Sequence, residues 1–130
     1  MELNEIAIKK LATVTGVNLN GAPTTETTLF TVPPSKTAII THVVIRSLSA
    51  SAASAVITLG ITGGACNEFL GSQTLTNLNG TTKAAILQPV PNATPVAQTL
   101  ITAGNSFGVE IGTAHGSAVT ATFDVFGYLY

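Results

Sequence analysis

Two histidines, one cysteine and six carboxylates are the side chains of this 130-residue chain that could do acid–base, nucleophilic or metal chemistry. His42 sits inside a long β-branched run, and His115 stands beside Gly116 in a turn. A metal centre would need both to converge with a carboxylate such as Glu110 or Asp124. Their settings differ, so His42 reads as a packed core or interface histidine and His115 as a loop residue. A hydrolytic triad needs a nucleophile on a strained turn. Ser117 has no G-x-S-x-G context, and Cys66, in Gly64-Ala65-Cys66-Asn67, matches no cysteine-enzyme pattern. Gly60-Ile61-Thr62-Gly63-Gly64 lacks the lysine of a phosphate loop and is not followed by a helical pattern. The expectation is a protein with no catalytic residue, no required metal and no cofactor.

Charge is scarce. Only 8% of residues are Asp, Glu, Lys or Arg, against roughly a quarter in an ordinary soluble domain. Thr, Ser and Asn carry the polar surface instead, and 45% of residues are hydrophobic. Such a surface suits a chain that is packed against copies of itself or a larger assembly, since a lone monomer usually keeps charge for solubility. The cations Lys9, Lys10, Lys36, Arg46 and Lys83 are scattered and the net charge is −1, so no nucleic-acid partner is expected. The start, Met1-Glu2-Leu3-Asn4-Glu5, is acidic where a secretion signal is basic, and no run of 18 apolar residues offers a membrane span. A lone cysteine allows no internal disulfide.

These side chains must be positioned by strands. Residues 1–26 hold three of the six carboxylates and settle on neither period until Val14 to Leu19, which reads as a first strand ending at Asn20-Gly21. This segment is expected to be a docking arm plus first strand, dispensable for folding of a sandwich domain over 27–130. Thr28 to Val32 is β-branched and aromatic, and Pro33-Pro34 stops it. Thr37 to Leu48 is the longest run. It places Ile39, Thr41, Val43 and Ile45 on one face and Ile40, His42, Val44 and Arg46 on the other. Both faces are partly apolar, so both are expected to be covered. Further strands are expected at 55–62, 82–87, 96–101, 107–111 and 119–129. Residues 65–80 read as a long connection anchored by Phe69, Leu70, Leu75 and Leu78. In the last strand Ala121, Phe123, Val125 and Leu129 share one face; Thr122, Asp124, Phe126, Tyr128 and Tyr130 share the other. About eight strands with Gly, Pro and Asn-Gly punctuation and no long helical pattern predict an all-β, two-sheet sandwich.

Three segments add a resemblance. Thr28-Leu29-Phe30-Thr31-Val32-Pro33 followed by Lys36-Thr37-Ala38-Ile39-Ile40-Thr41, then Gly104-Asn105-Ser106-Phe107-Gly108-Val109, then Phe123-Asp124-Val125-Phe126-Gly127-Tyr128, resemble strands of small bacteriophage virion proteins. The resemblance covers roughly residues 27–48 and 104–130. It implies a jelly-roll-like antiparallel β-sandwich, often trimeric, that decorates a phage head or builds a tail or fibre. The partners implied are further copies of the chain and a major capsid protein or other virion component. The location implied is the virion, after synthesis in the host cytoplasm. The residues expected at the interface are Val44, Arg46, Phe126, Tyr128 and Tyr130. The other expectation is a receptor- or glycan-binding module of a fibre or tail, reading through loops 49–54, 62–80 and 88–95. The absence of Trp and the presence of only two Tyr weaken it.

Overall fold

A computed structural model describes residues 7–89 and 99–130. They form nine strands and no helix: β1 (Lys9–Asn18), β2 (Glu26–Thr31), β3 (Thr37–Arg46), β4 (Val56–Ile61), β5 (Leu70–Thr74), β6 (Ala85–Leu87), β7 (Ile101–Thr102), β8 (Ser106–Thr113) and β9 (Thr120–Leu129). The first sheet has the order β1-β9-β3-β6, with β7 also on β3; the second has the order β2-β8-β4-β5. Every pairing is antiparallel. β6 and β7 lie on the same strand at different heights, β6 against Val43 to Ile45 and β7 against Thr37 and Ala38. They share one edge position, so the eight expected strands occupy seven places in the sandwich and β5 fills the eighth.

The pairing is nested. β1 lies on β9, β2 on β8, β3 on β6 and β7, and β4 on β5. The chain is one long antiparallel ribbon, rolled until β9 meets β3 and β8 meets β4. That is the strand order of a jelly-roll-like sandwich. Alternation drives the roll, because each strand has one apolar row that must leave water. Ile57 and Leu59 of β4, Phe107, Val109 and Ile111 of β8, and Ala121, Phe123 and Val125 of β9 are all buried between the sheets. Phe69 meets Phe107 edge to face at 5.5 Å. Fully burying a side chain of this size stabilises by about 1.5–3 kcal/mol.

Three sequence expectations change in detail. The faces of β3 are as expected only from His42 onward. A register shift between Ile40 and His42 puts one extra residue in the strand. Ala38 and Ile40 are therefore buried with Val43 and Ile45, and Ile39 points outward with His42, Val44 and Arg46. The expected connection at 65–80 contains β5, an edge strand whose Ser72, Gln73 and Thr74 are exposed and give no apolar alternation. The strand expected at 82–87 shrinks to β6. Residues 96–98 of the run expected at 96–101 lie outside the described residues.

β1 is longer than the strand expected at 14–19. It spans ten residues against β9, interrupted by register shifts at Lys10/Ala12 and Val14/Val17. Gly16, at φ +67°, supplies the left-handed residue inside the second shift. Two bulges explain why no single period emerges from the sequence there. Val17 and Leu19 nevertheless reach the core, and the Leu19 N–H donates to Val119 C=O at 3.0 Å. Residues 9–19 of the segment read as arm and first strand are thus packed into the first sheet and the core.

Candidate functional site

The outer face of the first sheet gathers four of the five expected interface residues. Strand register sets them in rows: Ile86, Val44 and Asp124 in one, His42 and Phe126 in the next, Ile39 and Tyr128 in the third. Lys10 of β1 extends the second row beyond Phe126, and Thr13 extends the first beyond Asp124. Arg46 closes β3 beside Thr122. Tyr130 follows β9; its backbone pairs with Thr37 in both directions and its side chain is exposed. The face is apolar for a surface. Ile86 is 67% exposed, and Tyr128, Phe126 and Val44 are half-buried.

Two polar devices tie the face together. The Arg46 guanidinium grips Asp124 as a fork, with Nε to Oδ2 at 2.6 Å and Nη2 to Oδ1 at 3.3 Å. The Thr13 hydroxyl donates to Oδ1 at 2.7 Å. One carboxylate thus joins β1, β9 and β3. The pair is a diagonal cross-strand neighbour, and the fork suits carboxylate geometry. Arg46 beside Asp124 holds its carboxyl below the ordinary carboxylate value; partial burial opposes this, and the Thr13 hydrogen bond assists. The hydrogen bond to Asp124 in turn raises the guanidinium's own value.

The second device is an aromatic stack. The His42 ring lies parallel on Phe126, with centroids 4.6 Å apart and an angle of 6°. The Thr41 hydroxyl donates to the Phe126 carbonyl at 3.1 Å and lies 3.1 Å from His42 Nδ1. With the single hydroxyl proton committed to the carbonyl, Nδ1–H must be the donor to Thr41. Thr41 is the residue beside the register shift, so the irregularity in β3 orients the ring.

His115 is elsewhere. Its Nδ1 accepts the Ser54 N–H at 3.2 Å and its own N–H donates to Leu19 C=O, so it pins the 114–118 turn to its neighbours. His42, His115, Glu110 and Asp124 are not brought together. No group of three or more His, Cys, Asp or Glu side chains among the described residues could hold a metal ion. The sequence presents His115 as an ordinary loop residue; the hydrogen bonds that make it a tie reach Ser54 and Leu19, distant in sequence, and carry no local signal.

The second sheet is different. Glu26 and Glu110 face each other across β2 and β8, and Thr58 continues the row on β4. The chain at 62–68 folds back over this side. Gly60 and Gly108 are required there, since a Cβ on Gly108 would meet the Thr27 carbonyl at 2.6 Å and one on Gly60 the Asn67 nitrogen at 2.7 Å. Cys66 is fully buried beneath, and its thiol reaches the Gly108 carbonyl at 3.6 Å. Burial, reinforced by Glu26, Glu110 and Glu68, pushes the thiol up to about 12, so it is an inert thiol at neutral pH. Glu68 accepts the Ile61 N–H and Glu26 the Gly63 N–H. A further open depression of about 380 Å³ lies between Gln73–Leu78 and Ala84–Leu87.

The class that the fold defines is a jelly-roll-like β-sandwich with an open, partly apolar outer sheet face. No protein-family model matches the sequence, and no curated protein does. Solved structures are similar in fold. A chain of the acidic stable capsid structure of Helicobacter pylori bacteriophage KHP30 has a TM-score of 0.55 at 11% identity, covering 93% of this chain and 92% of that one. A chain of the cyanophage Pam1 capsid asymmetric unit has 0.55 at 13%, covering 95% and 85%. A chain of the capsid of Ralstonia phage GP4 has 0.53 at 14%, covering 94% and 83%. At such identities the likeness is one of fold.

Proposed function

We propose that the chain is a non-enzymatic structural protein of a phage virion, a subunit that coats and stabilises the capsid shell. The observation that carries the reading is the outer face of the first sheet: exposed Ile86, stacked His42 and Phe126, Tyr128, and the Arg46–Asp124 ion pair. Burying such a face stabilises by about 25 cal/mol per Å² of apolar area, and many symmetric contacts multiply the effect. The fold shared with chains of three phage capsids, over most of each chain, supports the location. The partners are further copies of the chain, as a homotrimer, and the major capsid protein. Residues 1–26 are the docking arm, of which Lys9–Asn18 pairs in the first sheet as β1.

Binding of the purified protein to capsids stripped of their outer proteins tests this. Saturable binding is expected, and Val44→Asp and Tyr128→Asp should each weaken it while leaving the melting temperature within a few degrees. Unsaturable binding, or variants that bind as well as the parent, would refute the reading. The depression between Gln73–Leu78 and Ala84–Leu87 favours one rival, a glycan- or receptor-binding module, because Gln73, Thr74, Thr76 and Asn77 are among the residues that line it. Binding on a glycan array that is lost in Gln73→Ala or Asn77→Ala would turn the assignment to that rival.

A further inference from the structure

The few charges of the chain are sorted by sheet. All five cations lie on strands of the first sheet or within two residues of their ends: Lys9 and Lys10 on β1, Lys36 before β3, Arg46 at its end, and Lys83 before β6. Among the described residues its one carboxylate is Asp124, already held by Arg46. The second sheet carries Glu26 on β2, Glu110 on β8 and Glu68 before β5, and no cation. Glu2 and Glu5 lie outside the described residues. Among the described residues the four exposed large hydrophobic side chains follow the cations: Ile8 before β1, Ile86 on β6, Leu100 before β7 and Tyr130 after β9. All five cations are exposed, and the three carboxylates, half-exposed, act together on Cys66 and so share one neighbourhood.

We propose that the first-sheet face of one copy docks on the acidic second-sheet side of another, a heterologous contact between copies of this chain. The inference deepens the virion reading and rests on it. Charge selects the occupant. An isologous contact would place the first sheet, with outward Lys10 and with Lys9, Lys36 and Lys83 at its edges and strand ends, against itself and bring like charges together, which suppresses that pairing. The second-sheet side offers three carboxylates, two directly opposed across strands without a cation between them. A basic and apolar face meeting an acidic one lowers the repulsion on both. The outer faces of a two-layer sandwich point in opposite directions, so this contact joins copies in a row, or one trimer to the next, and does not itself close a trimer.

Sedimentation velocity of the full chain, at low and at 0.5 M salt, tests the contact with two charge-reversed variants. One is Lys9→Glu with Lys10→Glu, on exposed positions of the edge strand; the other is Glu110→Lys. Circular dichroism and thermal melting establish that both fold. The parent should self-associate at low salt and at least tenfold more weakly at high salt. Each variant alone should lose association at least tenfold, and an equimolar mixture of the two should regain it. Association that survives Glu110→Lys while the lysine variant pairs more tightly with the parent would establish an isologous contact and overturn the proposal. A parent that stays monomeric at both salts also overturns it. That result leaves the virion reading to its own test, saturable binding to stripped capsids, so the two can fail separately.

Discussion

The two outer faces of this sandwich solve the same problem in opposite ways. Each sheet buries one face in the shared core and must do something with the other. The second sheet covers part of its own: residues 62–68 fold back over Gly60 and Gly108, bury Cys66 and satisfy Glu26 and Glu68 through backbone N–H groups. The first sheet has no such flap among the described residues. It leaves Ile86, Phe126 and Tyr128 at the surface and stiffens them with the Arg46–Asp124–Thr13 network and the His42–Phe126 stack. Low overall charge therefore means two different things here. On the second sheet it goes with partial self-coverage that leaves three carboxylates half-exposed, and on the first it leaves a largely apolar surface for another molecule.

The largest test removes an edge of the first sheet. A chain starting at Thr27 lacks β1 and with it Val17 and Leu19 from the core. It is expected to show no cooperative thermal transition, because β9 loses its neighbour along ten residues. A truncated chain that melts like the parent would show that β1 is an accessory to the first sheet.

Backbone packing should be next. Gly127→Ala places a Cβ against the Ile39 carbonyl of the neighbouring strand, where only backbone can give way. A loss of about 3 kcal/mol in urea unfolding is expected. Gly112→Ala in the second sheet meets Val56 at no closer than 3.4 Å and should cost well under about 1 kcal/mol. Equal costs would mean that the close approach of β9 to β3 is not a constraint.

Acid should then distinguish the faces. The carboxyl of Asp124 is lowered in the folded state, so its contribution is present above the unfolded value of about 3.9 and is lost as pH falls through the folded value. Asp124→Asn should be less stable than the parent at pH 7, and the gap should close as pH falls below about 4. A gap that is constant with pH would mean that the ion pair contributes through packing alone.

The smallest effect concerns the covered side. Cys66 should resist a thiol reagent at pH 8 in the native protein and react at once in denaturant. Rapid native labelling would show that the 62–68 flap opens readily, and that the second sheet is less closed than the contrast requires.

Residue types alone determined much of this protein. Alternation in 55–62, 107–111 and 119–129 specified strands whose inner rows are the core, because a period of two with one apolar row can be buried in only one way. Aromatic and apolar residues on the other row of the last strand marked Phe126 and Tyr128 as outward-facing. What the sequence withheld depends on contacts between distant segments. Bulges in β1 and β3 break the period, so the face of Ile39 and Ile40 could not be read locally. Arg46 and Asp124 stand 78 positions apart, and only the β3–β9 register makes them partners. Likewise the sorting of cations to one sheet and carboxylates to the other is invisible in a chain where they interleave. The rolled ribbon decided it, by sending most strands that are neighbours in sequence to opposite layers.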